Sequence, residues 1–162
     1  MTTPSQDNQS PNTKGYLRFL AMVATATVIM YGLTYLNTYE IDHVFFSETR
    51  LYMSLIMGAT MAVVMLLFML HMHRSTKVNL AIGAASIALF AASLWLVRSQ
   101  RTVDDVSYMK AMIPHHSIAI LTSERAQISD PRVRELADEI IEAQRREIDE
   151  MKNLIADLES SK

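Results

Sequence analysis

Residue types able to hold a metal ion recur at helical spacing in two short stretches near the C-terminal end of this chain. In Tyr108-Met109-Lys110-Ala111-Met112-Ile113-Pro114-His115-His116, the residues Met109, Met112 and His116 stand at i, i+3 and i+7. In Gln144-Arg145-Arg146-Glu147-Ile148-Asp149-Glu150-Met151, the residues Gln144, Glu147 and Met151 repeat that spacing. Each set falls on one helical face. Thioether, imidazole, amide and carboxylate groups thus stand where Leu or Ile would pack better, and together they form a donor set for a metal. With no cysteine in the chain, any site must be built from His, Met, carboxylate and amide. Thioether mixed with imidazole suits Cu(I), imidazole also accepts Cu(II), and thioether is a poor zinc ligand.

The same residues have a plainer reading. A buried carboxylate must be paired or protonated and a buried amide must find hydrogen bonds, so Gln144 and Glu147 can equally pair with His115 or His116 across a helical hairpin and fix its register without a metal. Adjacent helical residues point about 100° apart, so His115 and His116 cannot both face the core. One is free to ligate while the other orients it, bridges to a partner or is solvated. Pro114 inside a helix removes a hydrogen bond and kinks the backbone. If it instead starts a fresh segment, both histidines fall in a first turn, where the helix dipole favours the neutral imidazole that binds metal.

The elements that position these side chains follow from the pattern. From Val103 to Ser160 the chain has no glycine and keeps a helical period, broken once at Ser129-Asp130-Pro131, where Asp130 reads as N-cap and Pro131 as the first helical residue. Two helices are expected, from Val103 to about Ile128 and from Pro131 to about Leu158. In the first, Val106, Met109, Ile113, His116 and Ile120 share a face; in the second, Val133, Leu136, Ala137, Ile140, Ile148, Leu154, Ile155 and Leu158 form the apolar stripe. Two amphipathic helices leave apolar surface uncovered, so pairing with a second copy into a four-helix bundle is expected, with the metal residues in its core.

The first hundred residues differ in kind. Half of the 162 residues are apolar and 12 are Met, and the apolar ones concentrate before residue 98. Residues 1–14 read as a disordered polar tail. Phe19 to Leu36, Leu51 to Leu70 and Val78 to Val97 are uncharged runs near the length of about 20 residues that crosses a bilayer, and the first reads as an uncleaved anchor. Membrane lipid is therefore an expected partner. Lys14, Arg18, Arg74 and Lys77 against Glu40, Asp42 and Glu48 place the N-terminus in the cytoplasm and residues 99–162 outside it. The expected location is a bacterial inner membrane with a periplasmic or extracellular C-terminal domain. The second span carries Met53, Met57, Met61, Met65 and Met69 at strict i+4 spacing, running into His71-Met72-His73. The ladder winds slowly round the helix and reads first as gap-filling beside Gly58 and Ala59, with a thioether track for Cu(I) as the sharper alternative. His71 and His73 read as interfacial polar residues or a metal relay, and His43 as a solvated loop residue or an auxiliary ligand.

The residues also carry a family resemblance. Met112-Ile113-Pro114-His115-His116, Asp130-Pro131 with Leu136-Ala137, and Gln144-x-x-Glu147-Ile148-x-x-Met151 resemble the signature of domain-of-unknown-function family 305. The resemblance covers roughly residues 103–158. It implies a ferritin-like helical bundle, usually exported, some of whose members are implicated in copper binding and tolerance. It carries His115, His116, Met112, Gln144, Glu147 and Met151 as motif positions, while Met109 comes from spacing alone. Many relatives hold two such hairpins where this chain holds one, which implies dimerisation. Where relatives often have Trp after the last Met, this chain has Leu154. The three spans resemble those of membrane-anchored relatives.

The expected fold is therefore all-α: three transmembrane helices followed by a two-helix hairpin that completes a bundle by homodimerisation. The expected function is copper buffering, tolerance or handover, with another envelope metal-handling protein as partner. A metal-free interaction module is the alternative, and a di-iron protein a weaker one because neither helix carries Glu-x-x-His. A net charge of −2 with mixed signs provides no basic field for nucleic acid. Enzymatic activity is not expected, since the chain has no nucleophile motif, phosphate-binding glycine loop or His-Glu-x-x-His.

Overall fold

The computed structural model describes residues 13–73 and 75–161 and is all-helical among them. Five α-helices follow in order: α1 (Thr13–Leu33), α2 (Glu48–Phe68), α3 (Thr76–Ser99), α4 (Asp105–Arg125) and α5 (Pro131–Ser160), with a short 3-10 turn at Ile41–His43 between α1 and α2. The expected tail at 1–14 lies outside the described residues except for Thr13 and Lys14, which already belong to α1. Arg74 also lies outside them.

The helices α1, α2 and α3 are each long and apolar enough to cross a membrane. A 21-residue helix such as α2 rises about 31 Å at 1.5 Å per residue, close to the roughly 30 Å of a bilayer's hydrocarbon core. Side chains such as Val28, Phe68 and Leu80 point outward, more than two-thirds exposed. In water such surface would be costly. The helix α2 is the middle one: α1 and α3 both pack along it, and they meet each other where Tyr16 bonds Asn79.

Small residues bring α1 and α2 together. The buried residues of α2 are Ser54, Gly58, Ala59, Ala62 and Leu66, and a Cβ at Gly58 would collide with the hydroxyl of Thr27 on α1. The methionine ladder runs beside this stripe. Met53 and Met57 face outward, whereas Met65 and Met69 pack against Phe19, Ala62 and Leu66. That change along the helix is the winding that i+4 spacing imposes.

The hairpin meets the three apolar helices at the segment between α1 and α2, and α4 also touches α2. Tyr39 and Phe45 pack against the hairpin core of Met109, Ile113, Ile120, Ile148 and Ile155. One edge of the hairpin is therefore closed within the chain, a cover that the two helical patterns alone do not disclose.

Candidate metal centre

Local signals fix both helices of the hairpin. Asp104 caps α4 by accepting from the Ser107 N–H at 2.7 Å, and Asp130 caps α5 by accepting from the Arg132 N–H at 2.9 Å with Pro131 behind it. The Arg132 guanidinium on the Asp130 carboxylate holds that carboxyl below its ordinary value. The helix α4 runs unbroken through a buried Pro114. His115 and His116 consequently lie in mid-helix and not in the first turn of a new one, which removes the dipole argument made for them from sequence. Lys110 pairs with Glu159 at 2.6 Å and Glu124 with Arg145 at 2.6 Å, setting α4 and α5 antiparallel.

That register brings donors from both helices to one open cavity of about 560 Å3. Met109, Met112 and His116 from α4 line it with Glu147 and Met151 from α5. Five of the seven residues singled out from sequence thus share one space. His115 is exposed and lies outside it, its ring centroid 6.0 Å from that of His116. The two neighbours diverge as helical geometry requires. Gln144, half-buried, also lies outside the cavity, one turn nearer the hairpin bend.

The His116 ring is held at both nitrogens. Its Nδ1 lies 3.0 Å from the Met112 carbonyl oxygen and its Nε2 lies 2.8 Å from Glu147 Oε2. A carbonyl only accepts, so Nδ1 carries the proton in that contact. The Nε2 to carboxylate contact then needs a second proton on the ring. Without it, a lone pair faces an anionic oxygen 2.8 Å away, a repulsion that a proton shared between them, or a cation bound by both, relieves. Orienting one imidazole nitrogen so that the other is offered to a metal is a common arrangement in metalloproteins. Three thioethers from the two helices line the same cavity as four carboxylates, so soft and hard donors meet there.

Further residues around the cavity escaped the sequence reading. Asp105, Glu150 and Asp157 put carboxylates on its rim, and Tyr108, Leu154 and Leu158 put apolar surface there. Aligning the two stretches as an antiparallel pair reveals them, because Asp105 continues the Met109 and Met112 face one turn back.

His43, expected from sequence to be a solvated loop residue or an auxiliary ligand, is not solvated. His43 is 6% exposed and its Nδ1 lies 3.0 Å from the Ser117 hydroxyl, which also accepts from the Tyr39 N–H at 2.7 Å. Burial follows because the 3-10 turn packs on α4. Its Nε2 faces Glu40 at 4.0 Å and Asp42 at 3.9 Å, and among the described residues these three form the only compact His and carboxylate group. Asp42 in turn binds Lys152 of α5 at 2.6 Å, and that ammonium lowers its carboxyl below the ordinary 3.8. His43 does not line the thioether cavity, and its contact with Ser117 docks the loop on the hairpin. Of the two histidines that follow α2, His73 is 4% exposed, whereas His71 is exposed.

A family model for a domain of unknown function, DUF305, matches residues 99–162. A curated relative, "Uncharacterized protein L153" of Acanthamoeba polyphaga mimivirus, is 31% identical over 142 residues, covering 83% of this chain and 91% of its own length. The chain belongs to the DUF305 family. A match of 142 residues must take in most of the membrane half as well as the DUF305 hairpin. No solved structure matches the chain.

Proposed function

We propose that this DUF305 protein is a membrane-anchored, extracytoplasmic copper-binding protein that buffers the ion or hands it on through Met and His ligands. The observation that carries the reading is the meeting of Met109, Met112, Met151, His116 and Glu147 on one cavity, with the His116 imidazole aimed at a carboxylate it can satisfy only by gaining a cation or a proton. Copper bound there supplies no reaction that these side chains would need to assist. The residues hold the ion: thioethers by soft donation, His116 Nε2 by its lone pair, and Glu147 by charge. Asp105, Glu150 and Asp157 on the rim favour a cation's approach.

Lys14, Arg18 and Lys77 at one end of the three apolar helices, against Glu40, Asp42 and Glu48 at the other, support an N-terminus in the cytoplasm and a hairpin beyond a bacterial inner membrane. The open face of the cavity, with exposed Tyr108, Leu154 and Leu158, supports a homodimer that closes it into a four-helix bundle. A partner that supplies or accepts copper in the same envelope follows from the open rim.

The test is competition for Cu(I) between a colorimetric chelator and the detergent-solubilised full chain. Wild type holds about one ion per hairpin, and His116→Ala with Met112→Leu weakens binding about 100-fold, a loss of some 2.7 kcal/mol.

One observation favours a second reading, a metal-free interaction module. The His116 and Glu147 contact at 2.8 Å can close as an ion pair with no metal. On that reading dimerisation is independent of copper, and copper causes no upward thermal shift.

A further inference from the structure

At the opposite end of the three apolar helices, the turn between α2 and α3 buries an imidazole that has no hydrogen-bond partner among the described residues. Tyr16 stacks on the His73 ring at 4.5 Å between centroids, and Phe19 meets it edge-on at 5.5 Å. His73 is 4% exposed, yet neither ring nitrogen has a hydrogen-bond partner among the described residues. Any neutral imidazole carries one N–H and one lone pair, and leaving both unmet in a buried site is unusual. The backbone that carries the ring is tied on both sides. The His73 N–H donates to the Met69 carbonyl at 3.1 Å, and its own carbonyl accepts from Asn79 Nδ2 at 2.6 Å. Asn79 is held in turn by the Tyr16 hydroxyl at 2.7 Å.

His73 also lines a cavity of about 490 Å3 whose other walls include Met22 of α1 and Met69 and Met72 beyond α2, the side chains of Met22 and Met72 being exposed. Three thioethers and one imidazole, with no carboxylate among the lining residues, offer nothing to a hard divalent ion and a good set to a soft one. We propose that Met22, Met69, Met72 and His73 form a second site, for a soft monovalent cation of the Cu(I) and Ag(I) class, a span's length from the hairpin. Lys14 and Arg18 also line the cavity and are exposed. Their repulsion acts through water and is half as strong on a monovalent as on a divalent ion, which sharpens the selectivity. They also define the competing occupant, a phosphate group from lipid or solution.

The site stands on its own donors and not on the copper reading of the hairpin, so the two fail separately. The test uses Ag(I), a redox-inert probe, on the full chain in detergent with the hairpin disabled by His116→Ala and Met112→Leu. About one Ag(I) per chain remains bound, with sulfur and nitrogen neighbours in X-ray absorption. Adding His73→Phe with Met69→Leu and Met72→Leu weakens that binding at least about tenfold. The gentler pair Met22→Leu and Met72→Leu gives a smaller drop in a chain that keeps its helicity. Absence of Ag(I) from the hairpin-disabled chain overturns the proposal, as does binding that neither set of substitutions changes. Inorganic phosphate or anionic-lipid vesicles bound through Lys14, Arg18 and His73, with Ag(I) ignored, overturns it in favour of an anion site.

Discussion

Methionines stand at helical spacing in both halves of this molecule, and the two halves use them differently. On α2 the ladder from Met53 to Met69 begins on the outward face and only later turns in toward α1, while the close packing is carried by Ser54, Gly58 and Ala62. In the hairpin, Met109, Met112 and Met151 come from two antiparallel helices and share one cavity with an imidazole and a carboxylate. Regular spacing within one helix places thioethers along a track, but a set of ligands needs convergence from more than one segment. The ladder meets that condition where it ends, beside Met22 and His73.

The largest expected effect separates the halves by affinity. His116→Ala with Met112→Leu costs about two orders of magnitude in Cu(I) affinity at the hairpin, whereas Met53→Leu with Met57→Leu leaves that affinity within about twofold. Chelator competition on the full chain with His73→Phe, Met69→Leu and Met72→Leu in place reads both, and a loss in the second pair equal to that in the first would contradict the difference. Next is packing: Gly58→Leu forces a side chain into Thr27 and destabilises the α1 and α2 contact by about 1–3 kcal/mol, the usual range for overpacking. Thermal unfolding in detergent measures it, and Met57→Leu serves as the neutral neighbour.

Smaller effects sharpen the link between the halves. Ser117→Ala strands the Tyr39 N–H and the His43 ring, at about 1–3 kcal/mol for an unmet buried group. Hydrogen exchange should rise in residues 38–46 while α3 stays protected. The smallest effect is acid sensitivity of the same docking. The Asp42 carboxyl is lowered by Lys152, so its contribution is full above the ordinary carboxylate value of 3.8 and is lost as pH falls through the lowered one. Both groups lie near the surface, so the loss is slight. Lys152→Ala should abolish this pH dependence in hydrogen exchange of the loop.

The sequence disclosed most of the helices because their signals are local: three apolar runs of bilayer length, Asp130-Pro131 as a start, and apolar periodicity in α5. It missed what depends on distant pieces meeting. Nothing in the types or spacing of Tyr39, His43 and Ser117 announces that a loop between two spans docks on a hairpin more than 60 residues later. The burial of His73 likewise follows from Tyr16 and Phe19, which lie more than 50 residues before it. His115 and His116 are equal as motif letters, and only the orientation of α4 separates the exposed ring from the one facing Glu147. Gln144 matched the spacing of its partners but sits one turn beyond the cavity they line.

The most direct measurement is X-ray absorption at the copper edge of the full chain loaded with one equivalent of Cu(I), comparing a chain that carries His73→Phe, Met69→Leu and Met72→Leu and retains the hairpin with the same chain also carrying Met109→Leu, Met112→Leu and Met151→Leu. The account predicts sulfur together with nitrogen or oxygen neighbours in the first protein and loss of the hairpin's sulfur shell in the second. A copper spectrum of nitrogen and oxygen alone in the first, or one unchanged by removing the three hairpin thioethers, would contradict it.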